Sequence, residues 1–268
     1  VVWAYNPNAT SWNGINGHWW NDDNTNQFVV DSMLSDALRT ISGVDEDTRA
    51  WAKIFTHFNK NHDKGETGYS PGEKIAVKLN MNTCNSNDGY RNNSVNSSPH
   101  VVFALVSQLV EHAGVAAEDI ILYDNSRFLP KTIYNKLEPA YPGITYIDKN
   151  ARADWITSFT QDENCKLAWS QKLTLENGGG HPTYLPAFIS NASYIINLGN
   201  LKGHDLAGVT MCAKNHAGTF LATNPDKPNL SPPRAAGFHP YATVHDFDYW
   251  NLPERPMGTY NTLVDLMG

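Results

Sequence analysis

Two short apolar runs separated by a helical pattern constrain the fold of this chain more than any other feature. Residues 74–80 form an apolar run between polar flanks, and residues 120–123 are apolar throughout. Between them, Ser98-Pro99 is a typical helix start and Gly114 is a typical helix stop. A strand, a helix and a strand within about 50 residues make a βαβ unit, which predicts parallel strands joined by a right-handed crossover.

The rest of the chain adds further elements of the same two kinds. Apolar residues recur at helical spacing in residues 28–41 and 45–61, so both segments are predicted to be amphipathic helices. Another helix is predicted for residues 131–137, and further strands are predicted for residues 143–147 and 194–198. Together these elements predict an α/β fold in which a mostly parallel sheet is flanked by helices, as in a three-layer sandwich.

Three segments fall outside this alternation. Residues 1–27 are rich in Trp, Asn and Gly without a sustained period, which predicts an irregular arm. Residues 151–188 contain Gly178-Gly179-Gly180 and are predicted to form β hairpins or loops. Residues 223–257 contain seven prolines and are predicted to be a long, stiff connection. The whole chain, residues 1–268, is interpreted as a single domain.

The composition argues against two classes of protein. The formal net charge is −7, and the Lys and Arg residues are not clustered, whereas nucleic-acid binding needs clustered positive charge. Apolar runs are interrupted well before the roughly 20 residues that a membrane-spanning helix needs. We therefore expect neither a nucleic-acid partner nor a membrane span.

The spacing of the cysteines limits the metal chemistry. Cys84, Cys165 and Cys212 are isolated from one another, so the sequence encodes neither a zinc ribbon nor an iron–sulfur cluster. A disulfide between Cys84 and Cys165 is compatible with the sequence. Cys212 falls in an apolar stretch with helical character and is predicted to be a buried structural thiol.

Two features favour an exported protein. The chain begins at Val1 with no signal sequence after it, as a mature product would. Asn-x-Ser/Thr triplets, which suit an extracytoplasmic surface, begin at Asn8, Asn92, Asn96, Asn191 and Asn229. We therefore expect a secreted or periplasmic location.

Residues 195–218 carry the pattern with the clearest chemical meaning. They are predicted to form a buried strand, a turn and a helix, with Lys202 and His204 at the turn. Ligands bind at the carboxyl ends of strands in open parallel sheets, and a helix N-terminus there attracts anions. Lys214 lies about three helical turns further on and would return to the site if the helix began late. His216 offers a second imidazole.

Charged residues near two predicted strands extend this candidate site. Lys78 lies among apolar residues of a central strand, and an unpaired buried ammonium is costly. We therefore expect Lys78 to face the site or to pair with Asp124. Asp124 and Arg127 follow the second strand, and they are expected either to form a salt bridge with each other or to bind the ligand.

These segments resemble a known family. Residues 74–80, the helix after Ser98-Pro99, residues 121–127 and the pattern Lys202-x-His204-x-x-x-Gly208-x-Thr210-x-x-x-Lys214-Asn215-x-x-Gly218 resemble the domain of unknown function 362 family. The resemblance covers most of the chain from about residue 28 onward. Many members carry a ferredoxin-like cysteine module, which this sequence lacks, so the resemblance does not imply an iron–sulfur cluster here.

A second resemblance concerns the chemistry. His204-x-x-Ala207-Gly208, Ala213-Lys214 and Asp124-x-x-Arg127 are similar to the corresponding pieces of nickel-pincer lactate racemases. In that family the matching histidine and lysine serve the active site, and the lysine holds the pincer cofactor covalently. The further histidines of that enzyme have no counterparts at matching spacings in this sequence, so a bound pincer cofactor is not expected.

The leading hypothesis from the sequence is a site for a small anionic ligand, such as a carboxylate or a phosphate. The residues assigned to ligand binding are Lys202, Lys78, Asp124, Arg127 and Asn215. His204 and Lys214 are assigned to catalysis if a reaction occurs. His204 would be the general acid and base, because the unperturbed pKa of histidine lies near neutrality.

Two alternatives stay open at this point. The first is a divalent metal held by His204 together with His216 or a loop histidine. The second is a non-catalytic extracellular protein that assembles into an oligomer or a filament, because an unfinished sheet edge and the aromatic arm would invite a partner strand. The residues fit both an enzyme and a binding protein.

Overall fold

The structure, a computed structural model, describes residues 1–90, 92–170, 183–204, 208–219, 221–222, 258–259 and 261–265. The Pro-rich connection predicted for residues 223–257 and the run Gly178-Gly179-Gly180 lie outside the described residues. The chain divides into two compact units. The first comprises residues 1–73, 88–120 and 130–144, and the second comprises residues 74–87, 121–129 and 145–268.

The first unit contains the four longer helices that the sequence predicts. They are α1 (Gln27–Ser42), α2 (Asp47–Asn61), α3 (Pro99–Ser107) and α4 (Lys131–Leu137). Helix α3 continues directly into a π-helical turn at Gln108–His112, a change of helical period that the apolar spacing does not reveal.

Local signals set the ends of the first helix. The side chain of Asn26 accepts a hydrogen bond from the N–H of Val29 at 3.3 Å and caps the N-terminus of α1. Gly43 ends the helix with a φ of 65°, a left-handed conformation that favours glycine. The predicted start and stop of this helix are therefore confirmed to within a residue or two.

The N-terminal arm is attached to a loop of the same unit. The indole N–H of Trp19 donates to the carbonyl of Asn93 at 3.2 Å, and that of Trp20 donates to the carbonyl of Asn92 at 3.2 Å. The ring of Trp20 also lies 5.4 Å from the ring of Tyr90. These aromatic side chains of the arm therefore serve packing within the first unit.

The strands and the shorter helices lie mainly in the second unit. In chain order the strands are β1 (Ile75–Lys78), β2 (Ile120–Asp124), β3 (Thr145–Asp148), β4 (Gln161–Lys166), β5 (Thr183–Pro186), β6 (Tyr194–Asn197), β7 (Lys202–His204), β8 (Gly208–Thr210) and β9 (Leu221–Ala222). The short helices are α5 (Ala187–Ser190), α6 (Cys212–His216) and α7 (Thr262–Asp265).

A four-stranded sheet organises the second unit. Its strand order is β3-β2-β1-β6, and the pairs β1–β6 and β2–β3 are parallel. β1 and β2 are adjacent in the sheet although α3 lies between them in the chain, which is the connection expected of a βαβ unit. The α/β class with a mostly parallel sheet is therefore confirmed.

The core of this unit forms from side chains of the sheet and of the segment that precedes β6. The buried members of the cluster are Ala76, Ile121, Tyr123, Ile147 and Ile189. All four residues of β1 and all five of β2 are buried, which explains why both read as continuous apolar runs. The excursion predicted for residues 151–188 contains β4 and β5, which pair antiparallel with each other.

The prediction that Lys202 and His204 lie at a turn, where a helix N-terminus attracts anions, is wrong, although a helix does form later in the segment. The segment instead forms an antiparallel hairpin of β7 and β8, and α6 is limited to Cys212–His216. Gly208 has a φ of 72°, and the β-branched Val209 and Thr210 favour a strand over a helix. Lys202 and His204 therefore lie on a β-strand and not at a helix N-terminus.

The burial of one cysteine differs from the prediction, and no disulfide is present among the three. All three are free thiols, so Cys84 and Cys165 are not joined. Cys84 is buried, and burial raises the pKa of its thiol to about 12. Cys212 is exposed, not buried as predicted, because the apolar helical stretch expected around it is replaced by the hairpin and the short α6.

Among the helices that the structure describes, none combines the length and the apolar character needed to cross a bilayer.

Two isoleucines of the sheet provide a matched test of where the core lies. Ile147 on β3 is 2% exposed and Ile195 on β6 is 40% exposed. We expect I147A to lower the free energy of unfolding by about 2–5 kcal/mol, because it leaves a cavity in the core. I195A should cost less than about 1 kcal/mol, the range of strand propensity. Urea unfolding followed by circular dichroism measures both, and equal losses would contradict this core.

Candidate functional site

Polar residues end the four strands of the parallel sheet in one row. Lys78 pairs in register with Asn197, and Asp124 pairs in register with Asp148. The strands that precede these residues are largely apolar. Because parallel strands bring their carboxyl ends to the same edge, the row lies where ligands bind in open α/β sheets.

Lys78 is buried in direct contact with Asp124. Its Nζ lies 3.2 Å from Asp124 Oδ2, and the two side chains are 1% and 2% exposed. Nζ also donates to Asn215 Oδ1 at 3.2 Å and to the carbonyl of Leu79. All three N–H groups of the ammonium therefore have acceptors. Burial lowers the pKa of Lys78, and the carboxylate of Asp124 opposes that shift.

Both oxygens of Asp124 are also used by neighbouring loops. Oδ2 accepts from the N–H of Met81 at 2.9 Å, and Oδ1 accepts from the N–H and the Oγ of Ser126 at 2.9 and 2.7 Å. The guanidinium of Arg127 donates to the backbone carbonyls of Asn82 and Ser126 at 2.9 and 3.0 Å. Asp124 therefore holds the segments that follow β1 and β2, and its ion pair is with Lys78.

Asn215 connects α6 to the ends of β1 and β6. The residue is 4% exposed, and its Oδ1 accepts from Asn80 Nδ2 at 2.9 Å as well as from Lys78. Its Nδ2 donates to Asn197 Oδ1 at 2.8 Å and to the carbonyl of Lys78 at 3.3 Å. These bonds fix the position of α6 and of the residues on either side of Asn215.

Gly218 permits this close packing. A Cβ at this position would lie 3.0 Å from Lys78 Cε and 3.1 Å from both Lys78 Nζ and Ser126 Oγ. Contacts of that length are tighter than most side chains tolerate, so the absence of a side chain lets the backbone approach the buried ammonium. Glycine therefore occurs at residue 218 for a steric reason: a larger residue would collide with Lys78 and Ser126.

Lys214 is a partly buried cation that lies among other cations. Its pKa falls from the usual 10.5 to about 8, chiefly through burial and then through the positive charges of Lys202, Lys78 and Arg127. The carboxylate of Asp124 acts in the opposite direction. The charges of Lys202, Lys78 and Arg127, which come from separate segments of the sequence, therefore act on Lys214.

The β7–β8 hairpin supplies Lys202 and His204. Lys202 pairs in register with Thr210, and its Nζ donates to Thr210 Oγ1 at 3.2 Å. His204 pairs in register with Gly208. Because side chains two residues apart on a strand share a face, His204 projects from the same face of the hairpin as Lys202.

His216 lies on α6 and interacts electrostatically with Lys78. Burial lowers the pKa of His216, and the positive charge of Lys78 lowers it further. The neutral imidazole is therefore favoured near pH 7. In the part of the chain that the structure describes, no three His, Cys, Asp or Glu side chains come together as a metal site would require.

A buried acceptor lies beside the polar row. Asn125 follows Asp124, is 6% exposed, and donates through Nδ2 to the carbonyl of Thr219 at 2.9 Å. Its Oδ1 has no hydrogen-bond partner among the described residues. A buried oxygen left unpaired costs about 1–3 kcal/mol, so this atom would gain from a donor.

Several amide and hydroxyl side chains that hold Lys78 and Asp124 in place do not stand out in the sequence. Asn80, Asn197 and Ser126 each lie at or just after the end of a strand. Their position after predicted strands is the feature of the sequence that could have identified them, because ligands bind at the carboxyl edge of such sheets. It was obscured because this chain is rich in Asn throughout.

The buried Lys78–Asp124 pair gives a direct test of this arrangement. We expect K78M to lower the free energy of unfolding by about 3–5 kcal/mol, because it leaves the carboxylate of Asp124 buried without its cation. Adding D124N should recover part of that loss. K166M, at an exposed lysine of the same unit, should change stability by less than about 0.5 kcal/mol. Urea unfolding measures all three variants, and a K78M cost no larger than that of K166M would refute the pair.

Comparison with known proteins gives one result for this part of the chain. A family model described as Domain of unknown function (DUF362) matches residues 75–241. The matched residues include β1, the row of polar residues, the β7–β8 hairpin and α6. No curated protein matches the chain.

Proposed function

This chain belongs to the DUF362 family, and from that premise we propose that it binds a small anionic ligand at the carboxyl edge of its parallel sheet. Lys202 and Lys214 would contact the anion, and Arg127 and Lys78 would contribute charge. The chemical class of the ligand is a carboxylate or another small oxyanion.

The observation that carries this proposal is that several positive side chains from separate segments act on Lys214. The charges of Lys202, Lys78 and Arg127 lower the pKa of Lys214, and among the described residues the carboxylate of Asp124 raises it. Asp124 is already paired with Lys78 at 3.2 Å. The positive charges of Lys202 and Arg127 act on Lys214, and a bound anion would relieve the repulsion among them.

The negative net charge of the chain makes a local group of positive side chains significant. The formal net charge is −7, so positive charge gathered at one site is not a consequence of a basic composition. Like charges that lie close together repel one another, and a bound anion would offset this cost in free energy. Arg127 and the lysines supply the donors that anionic oxygens prefer.

Two side chains extend the proposal from binding to chemistry. His204 shares a face of the β7–β8 hairpin with Lys202, which supports a role for it in giving a proton to, or taking one from, a ligand that Lys202 holds. The buried Oδ1 of Asn125 would accept a hydrogen bond from a hydroxyl or amino group of that ligand.

Isothermal titration with sulfate and with oxalate tests the anion site. We expect both anions to bind the wild-type protein, and K202M and K214M each to weaken binding by about tenfold, or ~1.4 kcal/mol. K166M removes an exposed lysine of the same unit and should leave the affinity unchanged. Loss of affinity in K166M equal to that in K214M would show non-specific attraction. Absence of binding, in a protein that sediments as an oligomer, would favour the assembly alternative.

The pH dependence of sulfate binding gives a second test, because sulfate keeps its charge across the range used. In the protein without a bound anion, Lys214 loses its proton as the pH rises through about 8. A neutral amine attracts an anion less, so the affinity should be constant below about pH 7 and should fall as the pH rises through 8. K214M should bind more weakly and should lose this pH dependence. An unchanged profile in K214M would contradict the role of Lys214.

A further inference from the structure

The first six residues of the N-terminal arm have the burial pattern of a strand without a strand partner. Exposed and half-buried side chains alternate along residues 1–6, which is the period of an extended strand. Asn6 ends this segment in an extended conformation, with a φ of −142° and a ψ of 117°. Among the described residues, no backbone group of residues 1–5 hydrogen-bonds to another backbone group. These backbone donors and acceptors are therefore available to a second strand.

The side chains of this segment favour pairing with another strand. Val1, Val2, Trp3 and Tyr5 are β-branched or aromatic, the types that strands prefer, and residues 1–6 contain no proline and no charged side chain. Trp3 is 87% exposed and Tyr5 is 76% exposed, both on the outward face of the alternation. Large apolar side chains that are exposed together mark an interaction surface. Residues 1–6 therefore combine an open strand edge with an apolar face.

We propose that residues 1–6 of two copies of this chain pair as antiparallel strands about a twofold axis at the Trp3 position. Trp3 then lies opposite Trp3 of the partner subunit, with Val1 opposite Tyr5 and Val2 opposite Ala4. Val1, Trp3 and Tyr5 of both copies share one face of this ribbon, because side chains alternate along a strand. Cross-strand pairs of aromatic and β-branched side chains stabilise such a ribbon. The pairing does not involve the residues of the proposed anion site.

A second copy is the occupant that this segment fits. Antiparallel pairing centred on residue 3 matches the apolar face with itself, so one sequence supplies both strands. Two copies each carry a net charge of −7 and repel, but residues 1–6 bring no side-chain charge to the contact. The aromatic side chains of two such segments cover roughly 600–1,000 Å², and the valines and the backbone add to that area. Specific interfaces bury about 1,200–2,000 Å², so we expect a weak dimer that forms as the concentration rises.

Sedimentation velocity of the full chain, over protein concentrations of about 10 µM to 1 mM, tests this pairing. We expect the wild-type protein to shift from monomer to dimer across the series. W3S should move the midpoint to a roughly tenfold higher concentration, because it removes the central apolar pair. F28S is the matched control, since Phe28 on α1 is 79% exposed and lies outside residues 1–6, and it should leave the midpoint unchanged. Both variants should fold, because both side chains are mostly exposed.

Disulfide trapping tests the register of the two strands. Oxidation of W3C should join two copies at position 3, because the twofold axis places these residues opposite each other within disulfide reach. A4C lies opposite Val2 and should crosslink to itself roughly tenfold more slowly. Cys165 and Cys212 are present in both variants, so their background is the same, and peptide mass spectrometry locates the new bond. A protein that stays monomeric, a dimer that W3S and F28S weaken equally, or equal trapping in W3C and A4C would overturn the proposal.

Discussion

The buried ammonium of Lys78 is the interaction on which the rest of this site depends. An ammonium that is 1% exposed persists in a protein interior only when its hydrogen bonds and its charge are both satisfied. Asp124 supplies the charge, Asn215 supplies an amide oxygen, and Gly218 leaves room for the approach. One residue on β1 thus brings together the end of β2, the helix α6 and the segment that follows it.

The parallel sheet determines which residues meet there. Register places the last residues of β1 and β6 side by side, and those of β2 and β3 likewise. Chain segments that follow these strands therefore leave the same edge and carry their polar side chains with them. Arg127 follows β2, and Lys202 and Lys214 follow β6, so positive charges distant in sequence act on one another.

Much of the fold can be predicted from the sequence, because apolar spacing and glycine positions report directly on α1, α2 and the buried strands. The pairing of Lys78 with Asp124 is also predictable, since a charge within an apolar strand needs a partner. The β7–β8 hairpin is not, because Lys202 to Thr210 carries glycines and charges that fit a turn before a helix equally well. The amide contacts of Asn80 and Asn197 are missed because hydrogen-bond partners that lie far apart in sequence leave no periodic pattern.

The titration of the Lys214 side chain tests the central claim most directly. Nuclear magnetic resonance of protein labelled with ¹⁵N at its lysine side chains follows this nitrogen as the pH changes. The account predicts a midpoint near 8 in the free protein and a higher midpoint when sulfate is saturating, since an anion stabilises the ammonium. A midpoint at the usual 10.5 that sulfate does not move would show that Lys214 is neither buried nor acted on by these positive charges.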